Sequence, residues 1–172
     1  MMKKYLFVLL LAFSVAGCSV TGDRQVDAMI DKMGIEIIHD IPINDNTKAG
    51  KHIDNTIHMK ARSFYPDKQQ YLLVLLHEIA HHIGSLNKRV SYQLYSQSDY
   101  RLLEELIANK YATTMMKKFG YKLRFNYDKL NKEYMNELIT QHGYSKERVN
   151  QYVNAELKRC LQTSDRLLKR RI

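Results

Sequence analysis

The first apolar pattern of the chain has helical spacing. Four apolar residues lie at positions i, i+3, i+4 and i+7, namely Val26, Met29, Ile30 and Met33. This spacing places them on one face of an amphipathic helix. Gly34 follows directly, where a helix commonly ends in a left-handed residue. We therefore predict a helix over residues 23–33.

Two short segments rich in β-branched residues follow this helix. Residues 35–41 (IEIIHDI) predict a strand, and residues 52–61 (HIDNTIHMKA) leave room for a second and a third. Residues 42–51 contain turn-forming residues and are predicted to be a loop. If substrate adds to this sheet by strand addition, the segment 55–60 is the expected edge strand. His58 on it either faces the cleft or has a structural role.

A long apolar run predicts a helix in the core. Pro66 and Asp67 suit its first turn, since proline lacks the N–H that would be unpaired there. Residues 72–76 (LLVLL) are apolar around the whole circumference, which is typical of a buried helix. Gly84 is the predicted C-cap.

Three more helices are predicted in the second half of the chain. The first covers about residues 100–119, the second begins near Asn126, and the third begins near Ser145. The order of elements is one helix, a few strands and four helices. This order favours an α+β fold with a small sheet over alternating β and α units.

The chain begins like a bacterial export signal. Two lysines precede the apolar residues 5–13, which are too few to span a bilayer, and Val-Ala-Gly then precedes Cys18. This ending resembles a lipobox, in which the signal is cut before a cysteine that becomes lipidated. An ordinary signal peptide is the alternative. We expect residues 1–17 to be removed and residues 18–22 to form a lipid anchor with a short tether.

Composition and charge limit the class of protein and the kinds of partner that it can bind. The chain of 172 residues is 45% hydrophobic and 26% charged, which excludes wholesale disorder. Two cysteines cannot build a disulfide framework, and lipidation of Cys18 leaves Cys160 as the only free thiol. The net charge of +9 favours anionic partners. Export argues against nucleic acid and for phospholipid. By resemblance to the sorting rules of enterobacterial lipoproteins, Ser19 after the cysteine implies the outer membrane, provided that the cell has two membranes.

The basic C-terminal segment, residues 158–172, has two interpretations. Its lysines and arginines could contact anionic headgroups, or they could be the solvated end of a helix. The sequence carries no indication of the oligomeric state.

The buried helix carries a metal-binding pattern. His77, Glu78 and His81 form an H-E-x-x-H motif. Residues four apart share a face of a helix, so both imidazoles can reach one ion. Catalytic Zn²⁺ takes three protein ligands and a water, and Glu78 is the expected general base for that water. The alternative is a pair of surface histidines without a metal, which leaves polar residues in an apolar helix unexplained.

A third ligand is expected from a second helix. Residues 103–112 (LEELIANKYA) contain E-x-x-A-N-x-Y-A, which resembles the second motif of ImmA/IrrE-like zinc metallopeptidases, whose first motif is H-E-x-x-H. The resemblance implies that Glu105 is the third zinc ligand and that Asn109 holds a ligand imidazole. It also implies a minimal zincin-like core over residues 23–120, with a C-terminal helical extension over residues 121–172.

Two rival ligands compete with Glu105. Glu104 points about 100° away from it on the helix, so both cannot ligate easily, and we interpret Glu104 as a solvated or ion-paired acid. The segment HEIAHHIG also fits the opening of the metzincin motif, but Asn87 stands at its last position. Asparagine is a poor zinc ligand. His82 is interpreted as a packing residue or as a partner of a ligand.

We therefore expect a zinc-dependent metalloendopeptidase, lipid-anchored at the cell envelope, that hydrolyses a protein or peptide substrate. Tyr92, Tyr95 and Tyr100 lie between the two zinc helices and are candidate oxyanion donors. The alternative is a zinc-binding lipoprotein without turnover that acts as an interaction or exclusion factor. ImmA/IrrE-like proteins are usually cytosolic and several act on repressors. The export signal means that this repressor-cleaving role is not carried over.

Overall fold

The computed structural model describes residues 21–45, 49–86, 97–124 and 127–169. Within these ranges the chain forms five α-helices, one 3-10 helix and three strands. Their bounds are α1 (Arg24–Met33), β1 (Glu36–Ile41), β2 (Gly50–Ile53), β3 (Thr56–Lys60), the 3-10 helix (Arg62–Phe64), α2 (Lys68–Leu86), α3 (Gln97–Lys118), α4 (Asp128–Thr140) and α5 (Lys146–Lys169). The expected α+β fold class with a small sheet is confirmed. Several residues singled out above lie outside the described ranges, namely Cys18, Ser19, Asn87, Tyr92, Tyr95 and Asn126.

The sheet has the strand order β1-β3-β2. β1 pairs parallel with β3, and β2 pairs antiparallel with β3 through the register Lys51↔His58. β2 therefore begins inside the segment predicted to be a loop. The expectation that residues 55–60 form the edge strand is wrong, because β3 lies between the other two strands. β2 is an edge strand.

The helix ends follow the sequence signals in two cases and depart from them in one. Asp23 caps α1 by accepting hydrogen bonds from the backbone N–H groups of Gln25 and Val26, and Gly34 ends it with φ 64°. Ser145 Oγ accepts from the backbone N–H of Arg148 at the start of α5. The predicted C-cap at Gly84 is wrong, since α2 continues to Leu86. A glycine is tolerated inside a helix at a modest cost in free energy.

One hydrophobic core joins all five helices and the sheet. α2 and α3 form its centre, with Leu76 and Leu103 fully buried. The helices of the predicted extension add Leu138, Val149 and Val153 to the same core. Among the described helices, none combines the length and apolar character that a bilayer crossing requires.

Candidate metal centre

Three side chains from α2 and α3 converge on one point. His77 Nε2 and His81 Nε2 lie 3.0 Å apart. Glu105 places Oε2 at 3.3 Å from the first nitrogen and Oε1 at 3.4 Å from the second. Ligand atoms held tetrahedrally at about 2.0–2.1 Å from one zinc ion lie about 3.3 Å from one another. The spacing of these three donors therefore fits a shared zinc ion.

The chemistry of the donor set fits as well. His77 Nδ1 lies 2.9 Å from Asn109 Oδ1, and Asn109 Nδ2 donates to Asn131 Oδ1 at 3.0 Å. Since the Asn109 amide nitrogen already donates elsewhere, its oxygen accepts the proton on His77 Nδ1. When a metal replaces the proton on Nε2, this acceptor keeps the remaining ring proton on Nδ1 and fixes the orientation of the ring. Two imidazoles and one carboxylate are a known ligand set of catalytic zinc.

The charges of the cluster depend on one another. Burial pushes the pKa of Glu105 upwards, but hydrogen bonds from His77 and His81 outweigh burial and hold the pKa of that carboxyl well below its usual range. Burial lowers the pKa of His81, yet Glu105 reverses the effect and raises it above its ordinary value. Glu105 is therefore a carboxylate, and a metal would displace a proton from His81 on binding.

Glu78 lies beside the three donors without belonging to their cluster. The residue is only 7% exposed, and burial raises the pKa of its carboxyl, while His77 and His81 partly offset that rise. The backbone N–H of His52 on β2 donates a hydrogen bond to the same carboxyl. Glu78 is therefore a buried, anchored carboxyl that can exchange a proton within the site.

A cleft of about 660 Å³ opens in front of these side chains. β2 forms one wall, and α2, α3 and the start of α4 form the others. A Cβ atom on Gly50 would lie 2.9 Å from both Cγ and Oε1 of Glu78. Glycine at this position therefore lets the strand approach the catalytic candidate closely.

Tyr127 is a cleft residue that the sequence analysis missed. Its ring centroid lies 5.6 Å from that of His77, and burial, followed by the charges of Glu78 and Glu105, raises the pKa of its hydroxyl. Tyr134 also lines the cleft. Tyr100, which the sequence analysis proposed instead, is buried in the core. Tyr127 directly precedes α4, which packs against α3, and no spacing pattern in the sequence indicates that contact.

The remaining sequence candidates have other surroundings. Glu104 lines the cleft but is not in the cluster of potential ligands. His82 Nδ1 lies 3.0 Å from His52 Nε2 and 3.3 Å from the backbone oxygen of Asp54, so it joins α2 to the β2–β3 hairpin. His58 Nδ1 lies within hydrogen-bond distance of Asp40, at 2.9 Å from Oδ2.

The comparison with known protein families gives information on the N-terminal residues of the chain. The family model of the prokaryotic membrane lipoprotein lipid attachment site matches residues 2–19. This match indicates an exported envelope protein with a lipid anchor in the membrane. No curated protein and no solved structure matches the chain. The likeness to ImmA/IrrE-like peptidases therefore rests on the two motifs alone.

Proposed function

We propose that this protein is a zinc metallopeptidase that hydrolyses peptide bonds at the cell envelope. One observation carries the proposal. The potential ligands His77, His81 and Glu105 have the spacing of zinc ligands, while Glu78 lies in the same cleft as a carboxyl outside the ligand set. A site that only stores or senses a metal has no need of this fourth group.

Each residue of the site has its own role in the proposed reaction. His77, His81 and Glu105 would hold a zinc ion, which would supply Lewis acidity to a water molecule and to the substrate carbonyl. Glu78 takes a proton from the attacking water and later gives it to the leaving amine. Its raised pKa suits both steps, because the carboxyl holds a proton more readily than an ordinary glutamate does. Asn109 keeps the His77 ring in its ligating tautomer.

The walls of the cleft suit an extended peptide. β2 is bonded to β3 on one side, and its residues Gly50, Lys51 and His52 line the cleft. A strand edge is a template for an incoming peptide backbone, because its main-chain groups can continue the ladder. A substrate strand laid along β2 would pass directly over Glu78, which contacts β2 at His52.

Tyr127 is the proposed donor to the oxyanion. Its ring packs beside His77 and its hydroxyl is held protonated by a raised pKa. A neutral phenol can donate a hydrogen bond to negative charge that develops on the carbonyl oxygen.

Two further features extend the proposal. The H-E-x-x-H and E-x-x-A-N motifs are similar to those of ImmA/IrrE-like peptidases, which supports metal-dependent proteolysis as the chemistry. Ser19 after the lipidated cysteine favours the outer membrane as the site of anchoring. In the alternative function, a zinc-binding envelope lipoprotein without turnover, Glu78 would have no chemical role.

A mixed peptide library tests this function. Purified mature protein, stripped of metal by a chelator and then reloaded with zinc, is incubated with the library, and new termini are identified by mass spectrometry. We expect cleavage by the reloaded protein and none by the stripped protein. Tight zinc binding without any cleavage would instead favour the non-catalytic alternative.

A further inference from the structure

We propose that the end of the molecule where the chain leaves its lipid anchor is a binding surface for anionic phospholipid headgroups. We call it the tether end, and it comprises Thr21 to Arg24, the start of α2 and the segment from the last turn of α3 to Lys122. The occupant is the membrane that holds the anchor.

The tether is too short to let the protein move far from the membrane. Thr21 is fully buried, and its backbone N–H donates to Asp27 Oδ1 at 2.8 Å. Gly22 is fixed as well, because its backbone oxygen accepts from Lys68 Nζ at 2.5 Å. Thr21 is three residues beyond Cys18, and three residues span at most about 10 Å. A lipid on Cys18 therefore keeps the tether end next to the headgroups.

Three helix ends meet at the tether end. Lys68 in the first turn of α2 binds Gly22, as described above. Tyr121, just after α3, donates a hydrogen bond from its hydroxyl to Asp23. Lys118 in the last turn of α3 pairs with Asp165 near the end of α5. The C-terminal end of α5 therefore lies beside the tether end, although this helix is distant from it in sequence.

The exposed charges in this region are mainly positive. Five exposed cationic residues lie at the helix ends, namely Arg24, Lys68, Lys117, Lys122 and Arg166, and exposed Arg62 of the 3-10 helix lies beside Gly22. The neighbouring acids are engaged within the protein. Asp23 caps α1, Asp27 accepts from Thr21, and Asp165 pairs with Lys118. Basic side chains held near an anionic bilayer are attracted to it, and the attraction adds over the residues.

This orientation limits the height of the cleft above the bilayer, because the lengths of α2 and α3 between the tether end and the site are upper bounds. His77 is nine residues beyond Lys68 on α2, which corresponds to about 14 Å at about 1.5 Å per residue. Glu105 is thirteen residues before Lys118 on α3, which corresponds to about 20 Å. If the cleft is a peptidase site, as proposed above, it reaches only protein segments that lie close to the membrane surface.

Vesicle binding tests the proposal without depending on peptidase activity. The mature chain with Cys18→Ser is mixed with vesicles of phosphatidylcholine, with or without phosphatidylglycerol, and sedimented. We expect binding to the anionic vesicles only, weakening with added salt. The double variant Lys117→Glu/Lys122→Glu should lower the partition coefficient by at least about 30-fold.

A charge-matched control lies at the opposite end of the fold. Tyr144 donates to Asp99 in the first turn of α3, so the start of α5 is at the end far from the tether. Lys146→Glu/Arg148→Glu, with the same change in net charge, should leave the partition coefficient almost unchanged. Equal losses in the two double variants, or equal binding to neutral and anionic vesicles, would overturn the proposal. Neither result depends on peptide cleavage, so either proposal can fail while the other stands.

Discussion

His77 Nδ1 lies 2.9 Å from Asn109 Oδ1, so the amide on α3 holds the ring of the first zinc-ligand candidate on α2. The same ring turns Nε2 toward Glu105, which lies one helical turn before Asn109. Asn109 is 1% exposed and is itself held by Asn131 on α4. Three helices therefore determine the orientation of a single imidazole.

Asn109→Ala should weaken zinc binding by about 10–100-fold, because the proton on His77 Nδ1 loses its acceptor and the ring loses its orientation. Asn109→Asp keeps an acceptor oxygen at the same place and should retain most of the affinity. Competition with a chromophoric chelator measures both. Equal affinities for the alanine variant and wild type would show that the amide does not position the ring.

Glu105→Gln should release most of the bound zinc, because a neutral amide replaces the anionic oxygen that faces both histidines. Glu104→Gln is the matched control on the adjacent position, and it should keep wild-type zinc content. Elemental analysis after dialysis checks the pair. Zinc lost from the Glu104 variant and kept in the Glu105 variant would reverse the ligand assignment.

Gly50→Ala should impair hydrolysis and spare zinc binding. The new Cβ would lie 2.9 Å from Glu78 Cγ, so the carboxyl or the strand must shift. A misplacement of about 1 Å in a catalytic group can cost about 100-fold in rate. Gly84→Ala is the control, since among the described residues nothing beyond its own helical turn lies within 4 Å of the new Cβ. An activity of Gly50→Ala equal to that of the control would mean that this close approach is unimportant.

Cys160 should resist alkylation in the folded protein. Burial, with a smaller contribution from Glu156, raises the pKa of its thiol to about 11. The reactive thiolate is therefore scarce at pH 8, and the rate with iodoacetamide should be at least about 100-fold lower than in denaturant. The rate should rise as the pH approaches 11. Mass spectrometry that finds native and denatured protein labelled equally fast would contradict a buried thiol.

Local patterns predicted the helices well, because capping residues and apolar spacing act within one turn. Gly34 and Ser145 mark helix ends at the positions expected. The prediction at Gly84 is wrong because its backbone does not adopt the left-handed conformation of a C-cap and α2 continues to Leu86. The position of β2 at the edge of the sheet depends on strand order, which no single segment encodes.

The site likewise combines features that one segment of sequence encodes with features that depend on the fold. The spacing of His77, Glu78 and His81 is a property of one helix and was therefore readable from the sequence. Gly50 and Tyr127 reach the cleft through contacts between elements that are distant in sequence, so neither stood out. The match at residues 2–19 supports the lipid anchor, which was likewise readable from a contiguous segment.

The central claim is that Glu78 acts on water as a base and is not a metal ligand. Glu78→Gln keeps the size of the side chain and an oxygen for the His52 N–H, but it removes the proton acceptor. The direct measurement pairs zinc content with hydrolysis of one identified peptide on the same preparation. We expect wild-type zinc content and a rate lower by about 10²–10⁴-fold. Hydrolysis by Glu78→Gln at the wild-type rate would contradict the account.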